Sequence, residues 1–142
     1  VEERMKDVLR NCPHYLDPQT GIEMLQNSDL YVAADAKVQS KLRRGAKIEH
    51  LAEGQLVYSV GSPPSVHMIV DGIVVRMLQD GGRDFLGSGE WLGFYPTLTG
   101  GTHATNTVAE TRVTLLTISA DLFIECSKAC PKLERYVWTL AG

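Results

Sequence analysis

The chain has 142 residues, 44% hydrophobic and 22% charged, which suits one globular domain built on one core. Its net charge of −3 comes from interspersed acids and bases, and the Arg43, Arg44 and Lys47 cluster is too short for the basic stripe of a nucleic-acid surface. No run nears the roughly 20 apolar residues of a membrane span, and the charged start VEERMKDVLR has neither a starting Met nor the apolar region of a signal peptide, so the sequence reads as a piece of a longer protein that does not itself insert into a membrane.

The first third reads as helix. Glu2 to Arg10 forms a short charged helix, and NCPHYLDP interrupts it with two prolines. Gln19 to Asn27 is a second short helix, weakened by Gly21. Asp29 then serves as N-cap of a helix carrying Leu30, Ala34, Val38 and Leu42 at a spacing of four, ending near Arg44–Gly45.

From residue 46 the period changes to two. Leu56, Tyr58 and Val60 alternate with Val57 and Ser59, and SVGSPPS supplies a turn. Val66, Met68 and Val70 alternate with His67, Ile69 and Asp71. After Gly72, Ile73, Val75 and Met77 face one way and Val74, Arg76 and Leu78 the other. QDGG supplies a hairpin turn before a strand at Arg83 to Leu86. His103 to Ala109 and Arg112 to Ile118 are expected to form a β pair.

The end returns to helix. Ser119 is an N-cap with Asp121 in the first turn, and Pro131 opens a last helix whose Leu133, Tyr136, Val137 and Leu140 repeat at helical spacing. The order of helices, strands and helices predicts an α+β fold with an antiparallel barrel or roll. Its divisions are an N-terminal helical segment at 1–45, the roll at 46–118 and C-terminal helices at 119–142.

Three ordered stretches in the β region resemble the cyclic nucleotide-binding domain family. EGQLVYSVGSPPSVHMIVDGIV is similar to the family's early strands, with Gly61 and Gly72 at its glycines. LGSGEWLG is similar to the run that leads into the family's phosphate-binding cassette. TVAETRVTLLTISADLF resembles the strand pair and helix start that follow. The resemblance covers about residues 45–140 and implies a β-roll flanked by helices, with a cassette-like loop at 86–106.

Within that resemblance the cassette aligns without a gap. Gly93 takes the glycine, Phe94 the acid that in binding members holds the ribose 2′-hydroxyl, Tyr95 the next place, and Pro96 an alanine. His103 takes the arginine that holds the cyclic phosphate, and Ala104 the alanine after it. Phe94 accepts no hydrogen bond, and an unpaired buried hydroxyl costs about 1–3 kcal/mol. His103 replaces a permanent bidentate cation with a ring of reference pKa about 6.5. Pro96 has no N–H, which leaves the Ala104 N–H and the short helix's N-terminus as donors. Losses of roughly 4–6 kcal/mol weaken binding by about three to four decades. No cofactor is therefore expected, with cAMP or cGMP the disfavoured alternative. Phe94 and Tyr95 either fill the emptied pocket or pack on the C-terminal helix as core.

Two smaller likenesses concern the parent protein. VHMIVDGIVV and LGFYPTLTGG look like the cytoplasmic domains of sodium/proton exchangers of the plant salt-tolerance type. The G-x-x-P-T of Gly93 to Thr97 is similar to the non-binding domain of PDZ-containing Rap exchange factors.

The remaining constellations have plainer readings. His14, His50, His67 and His103 lack the spacing of a metal site and read as solvent-facing strand residues. Thr102, Thr105 and Thr107 fit strand propensity better than nucleophilic chemistry, so no enzyme is expected. Cys12, Cys126 and Cys130 read as free cytosolic thiols. No recognition helix follows the last helix, which argues against DNA binding. Tyr136 and Trp138 on that helix pack on the roll or meet a partner. The expectation is a cytoplasmic regulatory module of a transport or signalling protein that does not use nucleotide. Its partners are other domains of that protein, a protein partner or a second copy. The alternative is a sensor that binds cyclic nucleotide, or another small anion through His103.

Overall fold

The structure, a computed structural model, describes residues 18–141. The expected helix at Glu2–Arg10, Cys12 and His14 lie outside them. Three helices come first: α1 (Pro18–Asn27), α2 (Asp29–Ala33) and α3 (Ala36–Gly45). Gly21 has a packing reason, because a Cβ there would sit 2.6 Å from Ile48 Cδ1.

The single helix expected from Asp29 to Arg44 is two helices. Ser28, not Asp29, caps the first, its Oγ accepting from the Tyr31 N–H at 3.3 Å. Ala34 and Asp35 are extended, and Asp35 Oδ1 accepts from the Val38 N–H at 2.9 Å, restarting the helix. An aspartate competes with the helix for its own neighbours' N–H groups, so the spacing of four hid a break. The apolar stripe survives it, since Leu30, Ala34, Val38 and Leu42 are all buried.

Eight strands follow: β1 (Lys47–Leu51), β2 (Leu56–Tyr58), β3 (Ser65–Asp71), β4 (Val74–Met77), β5 (Arg83–Leu86), β6 (Trp91–Leu92), β7 (Asn106–Ala109) and β8 (Val113–Ser119). They form two antiparallel four-stranded sheets, ordered β1-β8-β3-β6 and β2-β7-β4-β5. A short helix, α4 (Phe94–Thr99), stands between β6 and β7, and α5 (Ala120–Ala129) and α6 (Pro131–Ala141) close the described chain. This is the expected α+β roll flanked by helices.

The strand reading needs three corrections. The chain from 103 to 109 does not pair with the chain from 112 to 118, because β7 and β8 lie in different sheets. The turn at 110–112 is a crossing between sheets, with the Glu110 N–H bonded to Ile73 O at 2.9 Å. His103 precedes β7 and lies in a loop. β1 and β6 carry too little apolar alternation to announce themselves: KIEHL buries only Leu51, and β6 has two residues.

Strand β3 explains why the roll and the helices form one body. Val66, Met68 and Val70 pack with α1, α3, α5 and α6 in one core that includes Leu25, Leu42, Phe123 and Val137. Ile69, on the opposite face, joins Val74, Leu92, Val113 and Leu115 in a second core inside the roll. A strand covered on both faces buries residues of both, here Val66 to Val70 in succession. Ser65 and His67 share the Ile69 face, so the pleat turns both into the roll.

Candidate functional site

The cassette-like loop is held by its start. Gly93 has φ 90°, and a Cβ there would meet Ser65 O at 1.9 Å, so only glycine lets α4 begin against β3. Gly89, at φ 88°, has open space around it, and its N–H bonds Ile69 O at 2.7 Å. The turn is closed by Glu90 Oε2, which accepts from the Gly87 N–H at 2.6 Å. Gly87 itself has no near neighbour that would exclude a side chain.

Phe94 and Tyr95 part company. Phe94 is 6% exposed and stacks between Trp91, at 5.5 Å between centroids, and Phe123 of α5, at 5.4 Å. It belongs to the helical core. Tyr95 is 62% exposed. It lines a cleft of about 420 Å3 with Tyr58, Arg76, Pro96, His103 and Ala104. That volume lies in the range of small-molecule sites. The structure therefore brings all six cassette positions, Gly93, Phe94, Tyr95, Pro96, His103 and Ala104, to the wall of one cleft, with the Phe94 ring turned largely inward.

His103 is buried, not solvent-facing, and so is His67. The His103 backbone is pinned to the β2–β3 turn: its C=O accepts from the Gly61 N–H at 2.8 Å and its N–H donates to Ser62 O at 3.1 Å. Its ring lies flat on Tyr58, centroids 3.6 Å apart. Nε2 sits 3.3 Å from Ser65 Oγ, which is 2.7 Å from His67 Nε2. His67 Nδ1 is 2.9 Å from Thr117 Oγ1, and the Thr117 hydroxyl donates to Glu49 Oε2 at 3.0 Å.

The proton directions follow from that last bond. Thr117 has one hydroxyl proton and gives it to a carboxylate, so His67 Nδ1–H must donate to Thr117. His67 Nε2 then accepts from the Ser65 hydroxyl. Ser65 Oγ is left to accept from His103 Nε2–H. Both ring nitrogens of His67 are then paired in a neutral imidazole, and the one N–H of a neutral His103 is spent on Ser65. Burial holds His67 down at about 4, with the neighbouring His103 adding to it, and burial also lowers His103.

Sequence reasoning missed this relay because its members are far apart in the chain. The one local signal was Ser65-x-His67, which a strand places on one face. The threonines it considered beside His103 bond elsewhere, Thr105 and Thr107 to each other at 3.2 Å. It also left Arg76 unassigned. Arg76 lines the cleft and is ion-paired with Asp84 across β4–β5, its Nε donating to Oδ2 at 3.0 Å. Cys126 and Cys130 are buried free thiols, and burial raises Cys126. On α6, Val137 and Leu133 are buried while Trp138 and Leu140 are exposed. No helix among the described residues is long and apolar enough to cross a membrane.

Comparisons with known proteins point one way. The family model "Cyclic nucleotide-binding domain" matches residues 48–130, more than half of the chain. No curated protein matches it. Among solved structures, the regulatory domain of Toxoplasma gondii PKA with cAMP superposes with a TM-score of 0.70 at 12% identity, covering 85% of this chain and 49% of that one. The regulatory subunit of a cAMP-independent protein kinase A from Trypanosoma brucei gives 0.72 at 18% identity, covering 85% and 44%. A putative cyclic nucleotide binding protein from Ruegeria pomeroyi gives 0.70 at 17%, covering 89% and 58%. The chain spans about half the length of these solved chains. Identities this low show a shared fold.

Proposed function

The chain belongs to the cyclic nucleotide-binding domain family, and from that premise we propose that it is a regulatory module whose cleft no longer takes cyclic nucleotide. The observation that carries this reading is the relay at His103. Where the family places a bidentate cation for the phosphate, this chain has a neutral ring lying on Tyr58 with its one N–H bonded to Ser65. Phe94, at the acid's position, stacks in the core instead of facing a ribose, and Pro96 offers no N–H. The fold does not decide the matter. It occurs in a regulatory domain crystallised with cAMP and in the regulatory subunit of a cAMP-independent kinase.

On this reading the module is not an enzyme and works in the cytoplasm. It passes contacts between the N-terminal helices and α6 to other domains of a larger protein of transport or signalling. The alternative, a sensor of a small anion through His103, asks for a protonated ring, which burial opposes. Calorimetric titration of the 142-residue chain with cAMP and cGMP tests the proposal. It predicts no saturable heat up to about 1 mM, the affinity left after losing roughly 4–6 kcal/mol. Saturable binding below about 100 μM would overturn it.

A further inference from the structure

On the other side of the Trp91–Phe94 stack lies a second cleft, of about 610 Å3. It shares Trp91, Phe94 and the α6 residue Leu140 with the cassette cleft, and its remaining walls come from α1, α2, β3, β5, the turn before β6 and Tyr136 of α6. Its apolar wall combines three aromatic rings, Trp91, Phe94 and Tyr136, and two thioethers, Met24 and Met68, with the side chains of two leucines, Leu86 and Leu140. Two acids, Asp29 and Glu90, line it as well, and among the described residues no lysine, arginine or histidine does. Asp29 is close enough to the Tyr136 hydroxyl to raise it, after burial.

The chemistry of this lining selects by charge. Aromatic faces carry negative potential and attract cations, most strongly where water is excluded. Methionine sulfur is polarizable and adapts to the shape of a ligand. Asp29 and Glu90 add full negative charge that no neighbouring base in the wall cancels, and the chain as a whole is at −3. An anion such as a cyclic phosphate is repelled by both carboxylates, and the uncharged Asn27 and Ser28 do not offset them. A neutral apolar molecule leaves the two carboxylates unused.

We propose that this cleft binds a small organic cation, a quaternary or protonated amine carrying an apolar body. The charged head sits against the Trp91 and Tyr136 rings with Asp29 and Glu90 nearby, and the body lies on Met24 and Met68. Such a ligand touches α1, α2, the first residue of α4, and α6 together, so it tightens the module without entering the cassette cleft. This inference does not depend on whether the cassette cleft binds nucleotide.

The test is an NMR titration of the 142-residue chain with benzyltrimethylammonium, benzyl alcohol and phenylmethanesulfonate as cationic, neutral and anionic probes. The cation is expected to give saturable shifts at the Trp91 indole and the Met24 and Met68 methyl groups. The neutral and anionic probes should bind at least about tenfold more weakly, the contrast expected of a partly desolvated cation–π and carboxylate site. Asp29→Asn should weaken the cation about threefold or more and leave benzyl alcohol unchanged. Glu90→Gln, which keeps an oxygen for the Gly87 N–H, repeats the test if Asp29→Asn lowers Tm. Equal affinity for cation and alcohol, or shifts centred on His103 and Ala104, overturns the proposal.

Discussion

Tyr58 lies on His103 with ring planes 6° from parallel and centroids 3.6 Å apart. The two residues come from opposite ends of the roll's connection, β2 and the loop before β7. Their contact sets the character of the cleft, because a ring stacked on one face and hydrogen-bonded at Nε2 cannot turn its N–H toward a ligand. The same ring starts a relay that runs through Ser65, His67 and Thr117 to Glu49.

The burial of His67, with His103 beside it, makes stability depend on pH. His67 titrates at about 4 in the folded chain and at about 6.5 unfolded, so between those values the unfolded state binds more protons. Stability is fully present above the unfolded pKa and is lost as pH falls toward the folded one. Urea unfolding at pH 7 and pH 5 should show a His67-dependent loss of about 2 kcal/mol. His67→Gln should remove that difference, and an equal pH dependence in the variant would contradict the assignment.

Phe94→Glu, which restores the family's acid, is expected to unfold the core without gaining a ligand. The carboxylate would replace a ring stacked between Trp91 and Phe123. The expected loss is about 3–5 kcal/mol from the lost ring, with more from burying a charge. Denaturant melts measure it. A loss under about 1 kcal/mol would mean that Phe94 is not core.

Gly93 and Gly89 separate two uses of the same backbone region. Both have positive φ, but only Gly93 would drive a Cβ into a carbonyl, Ser65 O at 1.9 Å. Gly89→Ala should cost about 1–2 kcal/mol, the left-handed penalty alone. Gly93→Ala should cost more than about 3 kcal/mol, because β3 or α4 must move as well. Similar losses at the two sites would contradict this account.

Thr97 Oγ1 and Ser127 Oγ are buried without a hydrogen-bond partner. Thr97→Val keeps the shape and removes an unpaired polar group, so Tm should hold or rise, equivalent to about 0–1 kcal/mol. A clear drop in Tm would show that the hydroxyl is bonded in solution.

Much of the fold was legible because the signals were local. Ser119 capped α5 as its sequence suggested, accepting from the Leu122 N–H, and Pro131 opened α6. The stripe of Leu30, Ala34, Val38 and Leu42 named four core residues correctly, although Asp35 split their helix. What escaped was set by partners distant in sequence. Nothing near residues 103–118 says that β7 and β8 join different sheets, since either pairing satisfies the same alternation. The departures at Phe94, Pro96 and His103 were visible once the cassette was aligned. That His103 is buried was not, because its cover, Tyr58, lies 45 positions away, the difference of the two residue numbers.

The central claim is that the chain's own side chains occupy the bonding capacity a cyclic phosphate would need. The most direct measurement follows the ring signals of His103 and Tyr58 by NMR while cAMP is raised to about 0.1 mM, where a micromolar site weakened by three to four decades, to about 1–10 mM, stays at least about nine-tenths empty. The claim predicts that the ring-current shift of His103 on Tyr58 and the neutral form of His103 persist unchanged. A saturable shift of both rings, with His103 becoming protonated as cAMP binds, would contradict it.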